Sequence, residues 1–434
     1  MTTTTLWLGQ EEMETRRDTI TFRERLLLFL AGLFIAFTYA GLTLARNSAA
    51  GLLWIVVVWL GCAVVGHVIL NRRLPHRDPL LFPVAMLIAG WGLILITRLE
   101  PFFASRQAMW LIVSVAAMLG LAFAPRHLRW LSSYRYLWLF GGLGLLALTI
   151  LIGSNPSGAG PRLWIGFADI YIQPSELLKV ILVAFLASYL ADHQSLLSAH
   201  SFTIGSLRVP SLGFLVPLLI MWGFCLIILL WQRDLGTATL FFMVFILMLY
   251  IASGRVIYLI GGGGLLLLVG AVAYQLFDVV RQRVDIWYNP WPEAQNRAYQ
   301  IVQSLLAFAA GGVFGQGVGQ GSPSYIPVVH SDFVFAALAE EWGLLGTLAI
   351  TVCIALLVVR GLRLAVTLHQ RPFHALLAAG VSISLAVQSL LIMGGALKLI
   401  PLTGVTLPFL SYGGSSLLVS FLMIGILLML SEDV

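Results

Sequence analysis

The chain has 434 residues, of which 59% are hydrophobic and only 10% charged, with a formal net charge of +6. Soluble domains run nearer a quarter charged, so this composition excludes a water-soluble globule and points to a polytopic membrane protein. Arginines beside anionic lipid headgroups account for the positive balance, and no nucleic acid is needed.

The polar stretch Gln10 to Arg25 is followed by no small-residue cleavage site, so residues 1–25 are expected to remain as a cytoplasmic tail. Apolar runs long enough to span a bilayer follow near 26–45, 51–70, 80–97, 107–124, 136–152, 176–191, 211–231, 235–252, 256–277, 333–359, 373–397 and 405–430. The expected fold is therefore all-α, with about twelve transmembrane helices. The linker Asn71 to Asp78, with Pro75 and three arginines, sets the first two helices (26–79) apart from the ten that follow (80–434). Arg72, Arg73, Arg77, Arg126, Arg129, Arg360 and Arg363 all fall on one side of the membrane when the N-terminus is inside. By the positive-inside rule this puts both termini in the cytoplasm and the large loop 278–332, between the ninth and tenth spans, outside. Cys62, Cys225 and Cys353 lie within apolar runs and read as small buried hydrophobes. Gly261 to Gly264 in the ninth span reads as a site of close helix packing.

Four stretches carry chemistry. Gly158 to Ile165 leads into Gln173-Pro174-Ser175-Glu176, where Pro174 pre-sets a helical turn and Ser175 can cap it. Glu176 and Lys179 share a helix face, either as a local ion pair or as part of a polar groove. Asp234 follows Gln232-Arg233 in a tight turn, where it either solvates the loop or lines a pocket. In the loop 278–332, Pro290 and Pro292 restrict the backbone before Glu293, with Arg281, Arg283 and Arg297 nearby. A carboxylate so held suits general-base chemistry on an anionic substrate, against the alternative of a solvated loop acid. Gly311 to Gly321 lacks the lysine of a phosphate loop and reads as a flexible or re-entrant turn. Ser331 and Asp332 read as a helix cap, since adjacent His330, Ser331 and Asp332 cannot face one another as a triad. The break Pro401 to Ser416 is tolerated at membrane depth only where protein or water satisfies its backbone, so it is expected to line a cavity.

Gln173-Pro174-Ser175-Glu176, Asp234-Leu235-Gly236-Thr237-Ala238, Asn289-Pro290-Trp291, His330-Ser331-Asp332-Phe333, Ala339-Glu340-Glu341-Trp342-Gly343 and Leu407 to Ser416 together resemble, in order, the motifs of the SEDS family of bacterial cell-wall polymerases, to which FtsW, RodA and SpoVE belong. The resemblance covers about residue 80 to the C-terminus, the family's ten-helix core, and leaves the first two helices as an addition. It implies a glycosyltransferase that polymerises lipid II into glycan strands on the outer membrane face, with a class B penicillin-binding protein as partner and a divalent cation (Mg or Mn) in support. It places Glu293 in the slot of the family's catalytic aspartate, one methylene longer. Arg162, Arg281, Arg283 and Arg297 become candidate pyrophosphate clamps, and Glu176, Lys179, Asp234, Asp332, Ser411 and Ser415 candidates for the substrate groove. The sequence departs from the family also at Leu163 and Arg233. Thr403 favours the elongation type, while Asn289-Pro290-Trp291 and Thr406 lean toward division; the elongation type is preferred. A lipid II flippase, or a catalytically silent scaffold for the transpeptidase, are the alternatives.

Overall fold

Helix starts and breaks follow the prolines and glycines of the sequence. The computed structural model describes residues 2–45, 53–125, 128–155, 162–167, 170–193, 201–204, 207–210, 223, 227, 232 and 234–433. The described helices are α1 (Thr2–Ala45), α2 (Leu53–Arg73), α3 (Leu81–Leu99), α4 (Pro101–Leu121), α5 (Arg129–Ser133), α6 (Arg135–Ile152), α7 (Pro174–Asp192), α8 (Leu235–Ser253), α9 (Ile257–Leu276), α10 (Asp278–Tyr288), α11 (Tyr299–Gly311), α12 (Val334–Thr367), α13 (Pro372–Ala396) and α14 (Gly414–Ser431). Pro101, Pro174 and Pro372 each open a helix, where the missing amide hydrogen costs nothing. Among the described residues, eleven helices are long and apolar enough to cross a membrane. The expected seventh span, 211–231, lies outside the described residues except at 223 and 227, as do Cys225, Arg126, Arg233 and 158–161.

Two features add to the expected elements of this all-α fold. Short antiparallel hairpins join β1 (Ile165–Phe167) to β2 (Ile170–Ile172) and β3 (Ser201–Ile204) to β4 (Leu207–Pro210). The stretch expected as a polar tail is helical from Thr2, and its candidate span begins at Arg17. The only helix breaker there is Gly9, and the glutamates and arginines that follow are good helix formers.

The chain divides into two compact units. The first comprises residues 1–127, 303–364 and 406–434. Its core is α3, apolar all round and buried along nearly its whole length. The two N-terminal helices are keyed into it by glycine notches. A Cβ on Gly90 would lie 2.5 Å from Trp59 and 2.7 Å from Ile35, and one on Gly66 would lie 2.3 Å from Phe82. Trp59 also donates its indole hydrogen to the Met86 carbonyl at 2.9 Å. Phe34 of α1 joins Trp91 and Trp342 in an aromatic cluster with centroids 4.7 and 5.5 Å away. The linker between α2 and α3 is held from several sides. Arg77 is fully buried on Glu24, His76 N–H donates to Glu432, Asp78 N–H donates to Ser431, and Arg360 pairs with Asp78.

The second unit comprises residues 128–302 and 365–405. Here α7, α8 and α13 form the centre, with Gly380 of α13 admitting Val183 and Met248 at under 3 Å from where a Cβ would stand. Among the described residues, Gly262 of α9 packs closely against Ile246, while a Cβ on Gly261, Gly263 or Gly264 would meet nothing within 4 Å.

Candidate active site

In the second unit, the start of α7 and the start of α8 converge. Gln173 is the N-cap of α7 and Pro174 its first residue. Ser175 is therefore inside the helix rather than its cap, and its hydroxyl donates to Asp234 Oδ2 at 3.5 Å. Asp234 caps α8 by accepting from the Thr237 amide at 3.2 Å. Lys179, buried in the bundle, donates to Glu176 Oε2 at 2.8 Å and to Gln388 Oε1 from α13. The ion-pair reading of Glu176 and Lys179 is thus met, and the pair is joined by Gln388. Gln388 was not singled out from the sequence; its signal was an amide in the middle of an otherwise apolar span.

The amphipathic α10 lies over this cluster with one face. Arg283 donates to the Thr403 carbonyl at 3.2 Å, and Trp287, one turn on, donates to the Lys398 carbonyl at 3.1 Å. The same Thr403 carbonyl would stand 2.2 Å from a Cβ on Gly236, so the start of α8 is pressed against the loop 401–405. Burial pushes the Asp234 carboxyl above its ordinary range. Hydrogen bonds from Thr237 oppose this, Glu176 adds to it and Arg283 pulls it back. The result is a cluster of two acids and two bases. Its two cations, Lys179 and Arg283, suit an anionic group such as a phosphate.

The other face of α10 is used differently. Tyr274 donates to Asp285 at 2.9 Å, and Arg281 stands 3.8 Å from Asp278 and donates to the Gln275 carbonyl at 3.1 Å. Arg281 is therefore engaged at the end of α9, while Arg283 is the loop arginine held at the polar cluster. Arg162 and Arg297 are exposed. Trp164, two residues after Arg162, is tied by paired backbone hydrogen bonds to Ser154.

Glu293 ends a single 3₁₀ turn, Trp291–Glu293, that follows Pro290 and contains Pro292. Its backbone is fixed: the amide donates to the Pro290 carbonyl, and its own carbonyl accepts from Asn296 and Ala298. Its side chain is exposed and has no hydrogen-bond or ion-pair partner among the described residues.

In the first unit, Asp332 and Ser411 come together. Ser331 donates to Asp332 at 2.7 Å, Ser411 donates to the Ser331 carbonyl at 2.7 Å, and the Leu407 amide donates to Ser411 at 2.9 Å. The cap reading of Ser331 fails, because α12 begins only at Val334 and the Ser331 hydroxyl is directed at Asp332. Tyr412 stacks on Phe103 at 4.4 Å and its amide donates to the His330 carbonyl. Burial lowers the His330 pKa, and Glu100 opposes this. Ser415 is buried in the first turn of α14, and Thr406 donates to Ser416 at 2.7 Å. Side-chain hydrogen bonds thus satisfy part of the polar break, as irregular backbone at membrane depth requires.

Among the described residues no group of three or more His, Cys, Asp or Glu side chains could enclose a metal ion. A magnesium ion carried by a ligand's phosphates would need only one or two protein carboxylates.

A family model described as a cell cycle protein, FTSW_RODA_SPOVE, matches residues 80–434. The chain belongs to the FtsW/RodA/SpoVE family. Among its family relatives, the peptidoglycan glycosyltransferase RodA of Mycobacterium leprae is 34% identical over 421 residues, covering 94% of this chain and 90% of the relative. The probable peptidoglycan glycosyltransferase FtsW of Geobacter metallireducens is 36% identical over 332 residues, covering 76% and 85%. A chain solved in a peptidoglycan synthase complex that coordinates polymerization and crosslinking superposes with a TM-score of 0.67 at 26% identity, over 82% of this chain and 98% of that one. Thermus thermophilus RodA superposes with a TM-score of 0.59 at 25% identity, over 82% and 97%. Those two chains are nearly used up by the match, so about a fifth of the present chain has no counterpart in them. The M. leprae match leaves out only 6% of this chain, far less than the 79 residues before the family match, so it extends into the N-terminal helices.

Proposed function

We propose that the protein is a peptidoglycan glycosyltransferase of cell-wall biogenesis. It polymerises lipid II into glycan strands at the outer face of the bacterial cytoplasmic membrane, with both termini in the cytoplasm. Its role is in cell elongation, the division type being the nearest alternative, and its partner is a class B penicillin-binding protein that cross-links the strand. Glu293 carries the reading. A general base must be open to the hydroxyl it deprotonates, and this carboxylate sits on a proline-bounded turn with no protein partner among the described residues.

Glu293 takes the proton of the acceptor sugar hydroxyl as that oxygen bonds to the donor's anomeric carbon, and undecaprenyl pyrophosphate leaves with the electron pair of the broken bond. Arg283, with Arg162, Arg281 and Arg297 as further candidates, holds the pyrophosphate oxygens. Glu176, Lys179 and Asp234 are the groove candidates of the second unit, and Asp332, Ser411 and Ser415, taken separately, those of the first. A divalent cation, Mg or Mn, would neutralise charge on the leaving pyrophosphate.

The test is polymerisation of lipid II by the purified protein with its partner. Glu293→Gln should lower the rate by about 10²- to 10⁴-fold, the usual worth of a general base. Unchanged glycan output from that variant would sink the assignment. Transfer of labelled lipid II across liposomes without polymer would favour a flippase, and activity found only in Glu293→Asp would favour a scaffold.

A further inference from the structure

The glycine run that reads as a flexible or re-entrant turn is tied down at several points in the first unit. Gly343 has a φ of +65°, which breaks α12 and frees the carbonyls of Glu340 and Glu341. The Gln316 and Gly317 amides donate to these carbonyls at 2.9 and 3.0 Å, while the Leu344 and Leu345 amides turn to the Gly312 and Val313 carbonyls. Helix and loop have thus exchanged hydrogen-bond partners.

The two glutamate side chains, both buried, continue the exchange. Glu340 accepts from the Ser322 amide at 2.7 Å and Glu341 from the Gly319 amide at 3.0 Å. One cation closes the set. Arg98, buried at the end of α3, donates to Glu341 Oε1 at 2.8 Å and to the Gly321 carbonyl at 2.8 Å. From this root the chain runs out to His330, Ser331 and Asp332 and returns to α12. Its tip is fastened by Ser411 and by the Tyr412 amide.

We infer that Arg98 is a positioning residue, which acts through Glu341 and Gly321 to hold the root of segment 322–333 and so to place Asp332 toward the substrate groove. The inference rests on the proposed reading of Asp332 and Ser411 as groove residues. Without Arg98 the Gly321 carbonyl loses its donor and the buried Glu341 its counter-charge, which loosens the loop root.

Arg98→Gln leaves Glu341 unpaired and can fail to fold. The double variant Arg98→Met with Glu341→Met replaces the pair by apolar groups of similar volume, which usually preserves stability. In the double variant, amide exchange should rise across 312–333 and not in α14. KM for lipid II should rise about tenfold with kcat within about twofold, since groove placement is lost while the base is untouched. Arg98→Lys, which reaches one of the two acceptors, should fall between it and the wild type. A folded double variant with wild-type exchange across 312–333, or with wild-type KM, overturns the inference. The exchange measurement needs no activity, so it tests Arg98 even if the wild-type chain makes no polymer.

Discussion

Replacing Glu24 by glutamine tests whether the N-terminal helix pair is locked to the rest of the first unit. Glu24 is fully buried and accepts three hydrogen bonds, from Arg77 Nε at 2.9 Å, Arg77 Nη2 at 2.6 Å and His67 Nδ1 at 2.7 Å. Arg25 donates to His67 Nε2 at 3.1 Å, which fixes the imidazole hydrogen on Nδ1. Glutamine at this position keeps one acceptor and turns an amide donor toward groups that only donate. It also leaves the Arg77 guanidinium buried without a counter-charge. Breaking one side of such a pair costs about 3–5 kcal/mol. At 1.4 kcal/mol per tenfold, the folded-to-unfolded ratio should fall by roughly two to four orders of magnitude. Glu24→Leu combined with Arg77→Leu should cost less, because no unpaired charge is then left buried and only the His67 Nδ1 hydrogen loses its acceptor. Unfolding in mixed micelles of rising SDS content, followed by tryptophan fluorescence, measures both. A single variant costing less than about 1 kcal/mol, the range of exposed pairs, would refute the argument and mean that water reaches this cluster.

Two other outcomes follow from single positions. His330 has a lowered pKa, so as pH falls below the ordinary histidine value of about 6.5 the unfolded chain takes the proton first and the native state loses stability. His330→Gln should flatten the drop in melting temperature between about pH 7 and about pH 5, and equal slopes in both proteins would refute this. At Gly343 a Cβ would meet the Gly315 amide nitrogen at 2.3 Å and the Val313 carbonyl at 2.5 Å, on top of the positive φ. Gly343→Ala should cost about 2–5 kcal/mol from strain and overpacking, whereas Gly261→Ala, with nothing within 4 Å, should be neutral or stabilising. Equal effects at the two glycines would overturn the reading.

Where chain chemistry acts locally, the sequence is a good guide. Apolar runs of bilayer length located the described spans, and Pro174 marked a helix start. The Glu176 and Lys179 pair was legible because three residues on a helix bring side chains together. What stayed hidden depends on residues far apart in the chain. Nothing near Lys179 announces Gln388, and nothing in Gly311 to Gly321 announces that two glutamates and Arg98 will hold it still. The arginines of the large loop looked equivalent by spacing. The face of α10 separates them, because Arg283 shares the side of Trp287 while Arg281 turns to Tyr274 and Asp278. Ser331 and Ser175 misled as caps because each hydroxyl has a carboxylate within reach, Asp332 in the next position and Asp234 from another helix.

The linker between α2 and α3 has a consequence for the order in which the protein can be completed. The His76 and Asp78 amides are satisfied by Glu432 and Ser431, 356 and 353 residues later. During synthesis neither partner exists until 353 further residues have been made. The first two helices therefore enter the membrane with their linker unfinished, and the C-terminal end of the last helix closes it. A nascent chain halted before residue 431 should leave this linker open to protease, and release of the full chain should protect it.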